Sequence, residues 1–545
     1  QKDRHARNAS LDTALDRHVT ARTCHQHALR RPASPSLVHE RPDRTAYFET
    51  GPKPSVTEAD IAVVGAGAAG LYAALCAARD GARVVLVSAG PLAQTASYWA
   101  QGGLAAALAV DDSPELHLAD TERAGREAVR RSAAEILVHE APACVADLQS
   151  LGVRFDADRF GRLALGLEGG HSIRRIVHAG GSATGRRLVR QLSALAAADG
   201  RIAVLEGARA RALWIERESG RCRGLECENA HTDAISARAV MLATGGAAAL
   251  WGRTTNPPGS QGTGLLLAHA AGARLADLEL LQFHPTAVIG VPGREGFLIT
   301  EAIRGEGATL HDSRSGERFV DELLPRDEVS RAIQARLRET GARAVGLDMR
   351  SIDLALFPNV VAALRDAGLD PAREPVPVAP AAHYAMGGIA VDLHARASVP
   401  GLYGVGEVSC TGLHGANRLA SNSLSECFVF ARRAVACALS EPAPPPAAAT
   451  AEIDALPETA GLPRAERATR AALWKDAGIE RTAEGLTRLL DDAHPLARLI
   501  ARCALAREES RGAHLRLDHP ARDPALDHRH AVVSGEDDLC WETWE

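Results

Sequence analysis

No two of the ten cysteines stand in a C-x-x-C pair. That removes the usual sequence basis for an iron–sulphur cluster, a zinc ribbon or a disulfide framework, and it suits a reducing compartment. No metal site is read from the chain. Strong charge of either sign is missing as well. The formal net charge is -6, so nothing in the totals asks for a nucleic-acid partner. The first fifty or so residues mix Arg, His and acids without hydrophobic periodicity. They contain no apolar core of a secretion signal, and their mixed charges suit a transit peptide poorly. The run Ile61 to Ala78 is uncharged, but glycines break it early and it begins as a short β-branched stretch, so it is not read as a membrane span. No internal repeat is visible. The expectation is a cytoplasmic protein that engages neither membrane nor nucleic acid.

What is present is a soluble chain of 545 residues, 46% hydrophobic and 24% charged, too long for one core. Residues 1–57 read as a disordered extension. From 58 to 279 the pattern is strand, glycine turn, helix, strand, then a mostly helical stretch and further strands. Residues 280–383 read as an α/β insert richer in polar residues. Residues 384–440 return to the first pattern: "PGLYGVGEV" is a late strand that looks like part of the first sheet, and an apolar helix follows. Residues 441–451 are a Pro/Ala linker. The segment 452–545 reads as a helical domain on its Arg/Glu-rich periodicity, although the tail beyond about 521 carries no readable pattern. The fold class is α/β: a doubly wound, Rossmann-like domain interrupted by an α/β cap and followed by helices.

Gly65, Gly67 and Gly70 form G-x-G-x-x-G between a strand and a helix. The first glycine makes the turn, the second admits a pyrophosphate to the backbone, and the third lets helix and strand pack. The helix N-terminus then offers N–H groups to phosphate. A purely structural glycine turn is the alternative. The acid that often binds a ribose at the end of the second strand is replaced by Ser88, which weakens NAD as the ligand and leaves FAD.

Further motifs follow in order: "TASYWAQGGLAAAL", "ATGG", "LELLQFHPTAV", "TEAIRGEGA", "PRDEVSRAI", "PAAHYAMGGI", "GEVSCTGLHGANRLASNSL" and "SRGAHLRLDHP". As an ordered set over residues 58 to 520 they resemble the succinate dehydrogenase and fumarate reductase flavoprotein family, nearest to a soluble branch that oxidises L-aspartate. The resemblance implies two-electron exchange between a dicarboxylate and FAD. L-aspartate becomes iminoaspartate, the first step of NAD biosynthesis, with oxygen (giving hydrogen peroxide) or fumarate (giving succinate) as acceptor. It also implies a functional link to quinolinate synthase. For FAD it points to Gly65, Ala66, Gly67, Ala68, Ala69 and Gly70 in the pyrophosphate loop and to Ser88 at the ribose. Ala96, Ser97, Tyr98, Trp99, Ala100, Gln101, Gly102 and Gly103 would wrap flavin and diphosphate. Glu407 would meet the adenosine-side ribose, and Ser423 and Leu424 would open the late helix towards the flavin. The histidine that links FAD covalently in membrane-bound relatives is matched by Ala96, so non-covalent FAD is expected. Three departures stand out: Ala89 for a usual lysine, Thr263 for a usual aspartate, and a shortened loop before Arg326.

For the substrate, the resemblance points to Arg418, His284, His383 and Thr300 as carboxylate partners. A guanidinium fork and imidazole N–H groups are the donors a C4 diacid needs. Taken singly, a histidine is more often a packed core residue, and Arg418 has a surface ion pair as its alternative. Arg326 is the expected acid–base group, with Glu301 and Arg304 relaying its proton; a plain structural ion pair is the alternative. In fumarate reduction Arg326 would protonate one alkene carbon. In aspartate oxidation no Cβ proton moves, and it would act as an orienting charge.

"LGLEGGHSIRR" raises a separate question, because Glu168 is a lone acid in what otherwise reads as an anion-binding loop. The resemblance makes Glu168 the partner of the substrate ammonium group, which succinate and fumarate lack. An acid-capped turn away from substrate is the alternative. Two rival functions remain: a soluble fumarate reductase or succinate dehydrogenase flavoprotein subunit, and a catalytically silent FAD-binding protein.

Overall fold

The computed structural model describes residues 56–92, 95–228, 234–443, 462–535 and 538–545, and the backbone of 453–455. The expected extension over 1–57 therefore lies outside the described residues but for its last two positions, and the linker 441–451 but for its first three.

Strand Val56–Val64 pairs in parallel with Val84–Ser88 on one side and Ala234–Leu242 on the other. Ile202–Glu206 extends the sheet beyond Val84–Ser88, and Leu402–Gly404 joins Ala234–Leu242 late in the chain, again in parallel. Cys222–Glu228 and Arg209–Glu216 add antiparallel strands to the start of Ala234–Leu242. Val84–Ser88 and the inner parts of Val56–Val64 and Ala234–Leu242 are continuous apolar runs because both faces are covered. Ile61 and Val63 face one core, whereas Ala62 and Val64 face the other. The first core contains buried residues of the helices Ala68–Arg79, Arg131–Ser150, Thr184–Ala198 and Asn422–Ala438. The second contains those of Thr263–Ala270 and Pro495–Ala506.

The insert has its own core, with Val288, Ile299, Val329 and Leu347 fully buried. Its antiparallel sheet runs in the order Leu281–Val288, Val376–Ala385, Val345–Asp348, Thr309–His311. Helix Arg326–Thr340 packs on Leu281–Val288. His284 sits on the first long strand paired with Ala381, two positions before His383 on the second. The cap's sheet thus carries both imidazoles, and its helix begins with Arg326.

Beyond the linker, helices occupy Arg467–Asp476, Ala483–Leu489 and Pro495–Ala506. From Arg529 on the chain is not helical. Arg529–Ser534 and Asp538–Thr543 pair in antiparallel, and the first adds to Leu275–Ala276. Ala531, Val532 and Val533 are buried there, so the tail completes a sheet edge that only the folded chain provides. Among the described residues no helix is long and apolar enough to cross a membrane, and no group of His, Cys, Asp and Glu is placed to hold a metal ion.

Candidate active site

Gly65 has φ +108, and a Cβ there would collide with the Ala243 carbonyl of the "ATGG" turn. A Cβ on Gly70 would collide with the carbonyl of Gly65, so helix Ala68–Arg79 is drawn tight against the strand. Gly67 caps that helix without any side-chain hydrogen bond, and Ala68 N–H donates to Ser97 Oγ at 3.0 Å. A helix N-terminus left uncapped among alanines and glycines suits a pyrophosphate, and the cradle fits FAD on that ground.

The segment Ala96–Trp99 is a short 3-10 helix. Tyr98 lies under the guanidinium groups of Arg186 and Arg190, edge-on to Trp99. Gly103 N–H donates to Ser421 Oγ at 3.1 Å. Gln101 joins this loop to the cap, donating to Leu298 O at 2.6 Å and accepting from Thr300 N–H at 3.1 Å. The late helix Asn422–Ala438 opens with Ser423 and Leu424, again without a side-chain cap. Ser88 is buried at its strand end and donates to Gly90 O at 2.6 Å.

Glu407 lies well apart from Ser88. Val87, Val64, Leu242 and Gly404 run side by side across the sheet, so three strand spacings, about 14 Å, separate the Ser88 strand from the one leading to Glu407. Glu407 accepts from Ala385 N–H at 3.0 Å and lies against Gly246. Burial pushes its carboxyl up to about 7, countered in part by the Ala385 N–H and the charge of Arg418.

Between cradle and cap, three arginines converge. Arg326 Nε donates to Glu301 Oε2 at 2.6 Å. Arg304 Nη2 lies 2.9 Å from Glu301 Oε1. Gln282 Oε1 accepts from Arg326 Nη1 at 3.1 Å and from Arg418 Nη2 at 3.0 Å, while its amide donates to Asn417 Oδ1 and Arg418 O. One neutral oxygen thus holds two guanidinium groups from opposite domains. Arg418 stacks 4.6 Å from the Tyr384 ring centroid, and its remaining partners are Leu419 O and Ser423 Oγ at 3.4 Å. It forms no ion pair among the described residues. Arg304, Arg326 and Arg418 are all buried; the first two contact Glu301 directly, and the third joins them through Gln282. Burial and the charge of Arg326 hold Arg418 down at about 10.

The ring centroids of His284 and His383 are 5.0 Å apart. Burial, then the Arg326 charge, holds both imidazoles well below their ordinary range, so both are neutral. His383 Nδ1 lies 2.8 Å from Thr255 Oγ1, and Thr300 is buried at the cap's edge. The shortened loop before Arg326 does not keep it from Glu301: Glu322 Oε1 accepts from Leu310 N–H at 2.7 Å, and the Glu322 carbonyl accepts from Arg304. Of the other two departures, Thr263 is the first residue of helix Thr263–Ala270, and Ala89 follows the second strand directly.

In "LGLEGGHSIRR" the cations are consumed locally. Arg175 is fully buried and pairs with Asp112 at 2.8 Å and Asp120 at 2.5 Å, and it also meets His171 Nδ1 at 3.0 Å. Arg174 points outward near Glu306. The stretch is therefore no anion-binding loop. Glu168 is buried, with Oε2 accepting from Ser421 Oγ at 2.7 Å and Oε1 without a hydrogen-bond partner. A Cβ on Gly102 would stand 3.5 Å from that Oε1, which sets the free oxygen beside the loop expected to wrap the flavin.

Sequence reasoning missed Gln282, Ser421 and Thr255. Gln282 and Ser421 lie inside quoted motifs, yet a neutral amide or hydroxyl carries no signal until its partners are known. Tyr384, His414 and Glu426 form a further buried network beneath Arg418.

A dinucleotide cradle roofed by an insert that brings arginines and histidines to its mouth defines a flavoprotein oxidoreductase of the succinate dehydrogenase and fumarate reductase class. The FAD binding domain family matches residues 60–424 and the fumarate reductase flavoprotein C-terminal family residues 487–542. A quinol-fumarate reductase solved with menaquinol molecules superposes with a TM-score of 0.80 at 29% identity, over 90% of this chain and 98% of that one. The L-aspartate oxidase of Streptomyces coelicolor is 42% identical, covering 87% of this chain and 91% of its own length. That of Caulobacter vibrioides is 44% identical, over 85% and 94%. The chain belongs to the L-aspartate oxidase family.

Proposed function

We propose that the protein oxidises L-aspartate to iminoaspartate, with non-covalently held FAD and with oxygen or fumarate as the final acceptor. The observation that carries this reading is a buried surplus of positive charge beside one carboxylate oxygen that has no partner. A dicarboxylate neutralises the surplus, and an ammonium group satisfies Glu168 Oε1; L-aspartate brings both. Such a surplus is costly in the empty protein unless a ligand offsets it.

FAD, when bound, supplies a two-electron acceptor for the hydride that leaves the substrate Cα. Arg418 grips one carboxylate with its fork, and the neutral His284 and His383, with Thr300, donate to the other. Glu168 holds the nitrogen, which orients one face of Cα and so selects the L enantiomer; the ammonium group gives up one proton to water, so that its lone pair closes the C=N bond as the hydride leaves. In the fumarate direction Arg326 delivers a proton to an alkene carbon, and Glu301, bridged to Arg304, restores it. In this reading the imine enters NAD biosynthesis in the cytoplasm, with quinolinate synthase as its consumer. A succinate- or fumarate-specific flavoprotein subunit needs no carboxylate at the position of Glu168.

The test is anaerobic addition of L-aspartate, D-aspartate or succinate to the FAD-loaded protein. L-aspartate alone should bleach the flavin absorbance, and oxygen or fumarate should restore it. Bleaching by succinate alone would replace this reading with the fumarate reductase one, and bleaching by none would indicate a catalytically silent FAD-binding protein.

A further inference from the structure

Helix Pro114–Gly125 of the FAD domain ends in two consecutive non-glycine residues in the left-handed region, Arg126 and Glu127, each with φ +59. That conformation is unfavourable for side chains of this size and persists only where surroundings enforce it. Three contacts enforce it here. Arg126 O accepts from Arg511 Nη1 at 2.7 Å, Glu127 O accepts from His528 N–H at 2.7 Å, and Gly125 O accepts from Ala416 N–H at 2.9 Å, within the segment that carries Arg418.

The enforced elbow throws the Arg126 side chain across to the cap. Its Nη2 donates to both oxygens of Asp327, at 3.3 and 3.1 Å, and to Glu328. Asp327 is fully buried and is also held by Arg331 at 2.9 Å. These acids occupy the first turn of the helix that begins with Arg326. Arg126 touches neither Arg326 nor any expected substrate contact, yet it ties the residue next to Arg326 to the FAD domain.

We propose that Arg126 is a positioning residue: it clamps the leading turn of the cap helix to the FAD domain and thereby holds Arg326 in register with Glu301 and Gln282. The kinetic part rests on the function proposed above; the mechanical part does not. A misplacement of about 1 Å at a reacting group is enough to cost on the order of a hundredfold in rate, so a loosened helix start is felt at Arg326 before it is felt in overall folding.

The experiment compares Arg126→Met, Arg126→Gly, Arg126→Lys and Asp327→Asn in the FAD-loaded protein. Iodide quenching of flavin fluorescence reports how well the cap closes, whatever the substrate proves to be. Arg126→Met should raise quenching and lower kcat for fumarate reduction about tenfold or more, with FAD affinity unchanged. Arg126→Gly removes the clamp and the backbone strain together, so it should melt no earlier than the wild type and still show the kinetic loss. Arg126→Lys should recover part of kcat. Adding Asp327→Asn to Arg126→Met should bring less further loss than Asp327→Asn causes alone, because the two substitutions share the contact between Arg126 and Asp327. Unchanged quenching and kcat in Arg126→Met and Arg126→Gly would overturn the proposal, as would additive losses in the double variant. If the wild type turned over neither fumarate nor L-aspartate, the proposed function would fail, while quenching would still decide whether the clamp exists.

Discussion

Two buried arginine clusters lie on either side of residues 168–175, and they differ in arithmetic. Around Arg175 one guanidinium meets two carboxylates, Asp112 and Asp120, and an imidazole. Around Glu301 two guanidinium groups meet one carboxylate, and Gln282 uses a neutral oxygen to hold a third, that of Arg418, to one of them. The first cluster is complete without a ligand. The second is incomplete, and burying it makes sense only if negative charge arrives from outside. Charge balance, more than residue type, separates a structural arginine from one proposed to bind substrate here.

That contrast can be broken in several ways. Arg326→Leu should lower fumarate reduction by about a thousandfold in steady-state assays while the protein still binds FAD; retention of most of the activity would move the proton to another donor. Arg175→Met should act in the opposite manner. It strands the buried Asp112, while Asp120 keeps Arg123 and Ser172, and should cost about 3–5 kcal/mol of stability in denaturant unfolding, with kinetics of the surviving folded fraction little changed. If instead it raised KM for the diacid without loss of stability, the two clusters would not be distinct.

Glu168→Gln sharpens the comparison from the anionic side. The loss of a charge-assisted hydrogen bond, about 1.5–3 kcal/mol, should lower kcat/KM for L-aspartate roughly 10- to 150-fold and fumarate reduction far less. Equal losses in both directions would remove the amine contact. The smallest effect is expected at Glu407. Its carboxyl is raised to about 7 from an ordinary 4.5 by burial, so the folded apoprotein keeps a proton that the unfolded chain gives up. The stability this lends is complete below about pH 4.5 and is lost as pH rises through 7. Melting temperature of the apoprotein followed from pH 5 to 8 should fall less in Glu407→Gln than in the wild type.

The parts of this site that were legible in the sequence are those whose chemistry is local. The glycine turn announces itself because each glycine answers a clash with a neighbour a few residues or one strand away. Arg326, Glu301 and Arg304 were visible through their motifs, and the fold brings their side chains into contact. Gln282 was not visible, since its meaning comes from arginines 44 and 136 residues distant. Arg175 was misleading for the same reason: the acids that neutralise it lie 55 and 63 residues upstream. The distance between Glu407 and Ser88 was not visible either, because strand order cannot be read from strand sequence. The tail was unreadable because Ala531 to Val533 find their partners at Leu275 and Ala276.

The sequence by itself determined the glycine turn between strand and helix that suits a dinucleotide, and which charged residues to propose for a diacid, since backbone clashes and motif chemistry act over short chain distances. Only the tertiary structure decided which buried charges are already balanced. Coulomb pairing depends on separation in space, and the partners of Arg175, Arg326, Arg418 and Glu168 come together through strand crossovers and a cap seated on another domain.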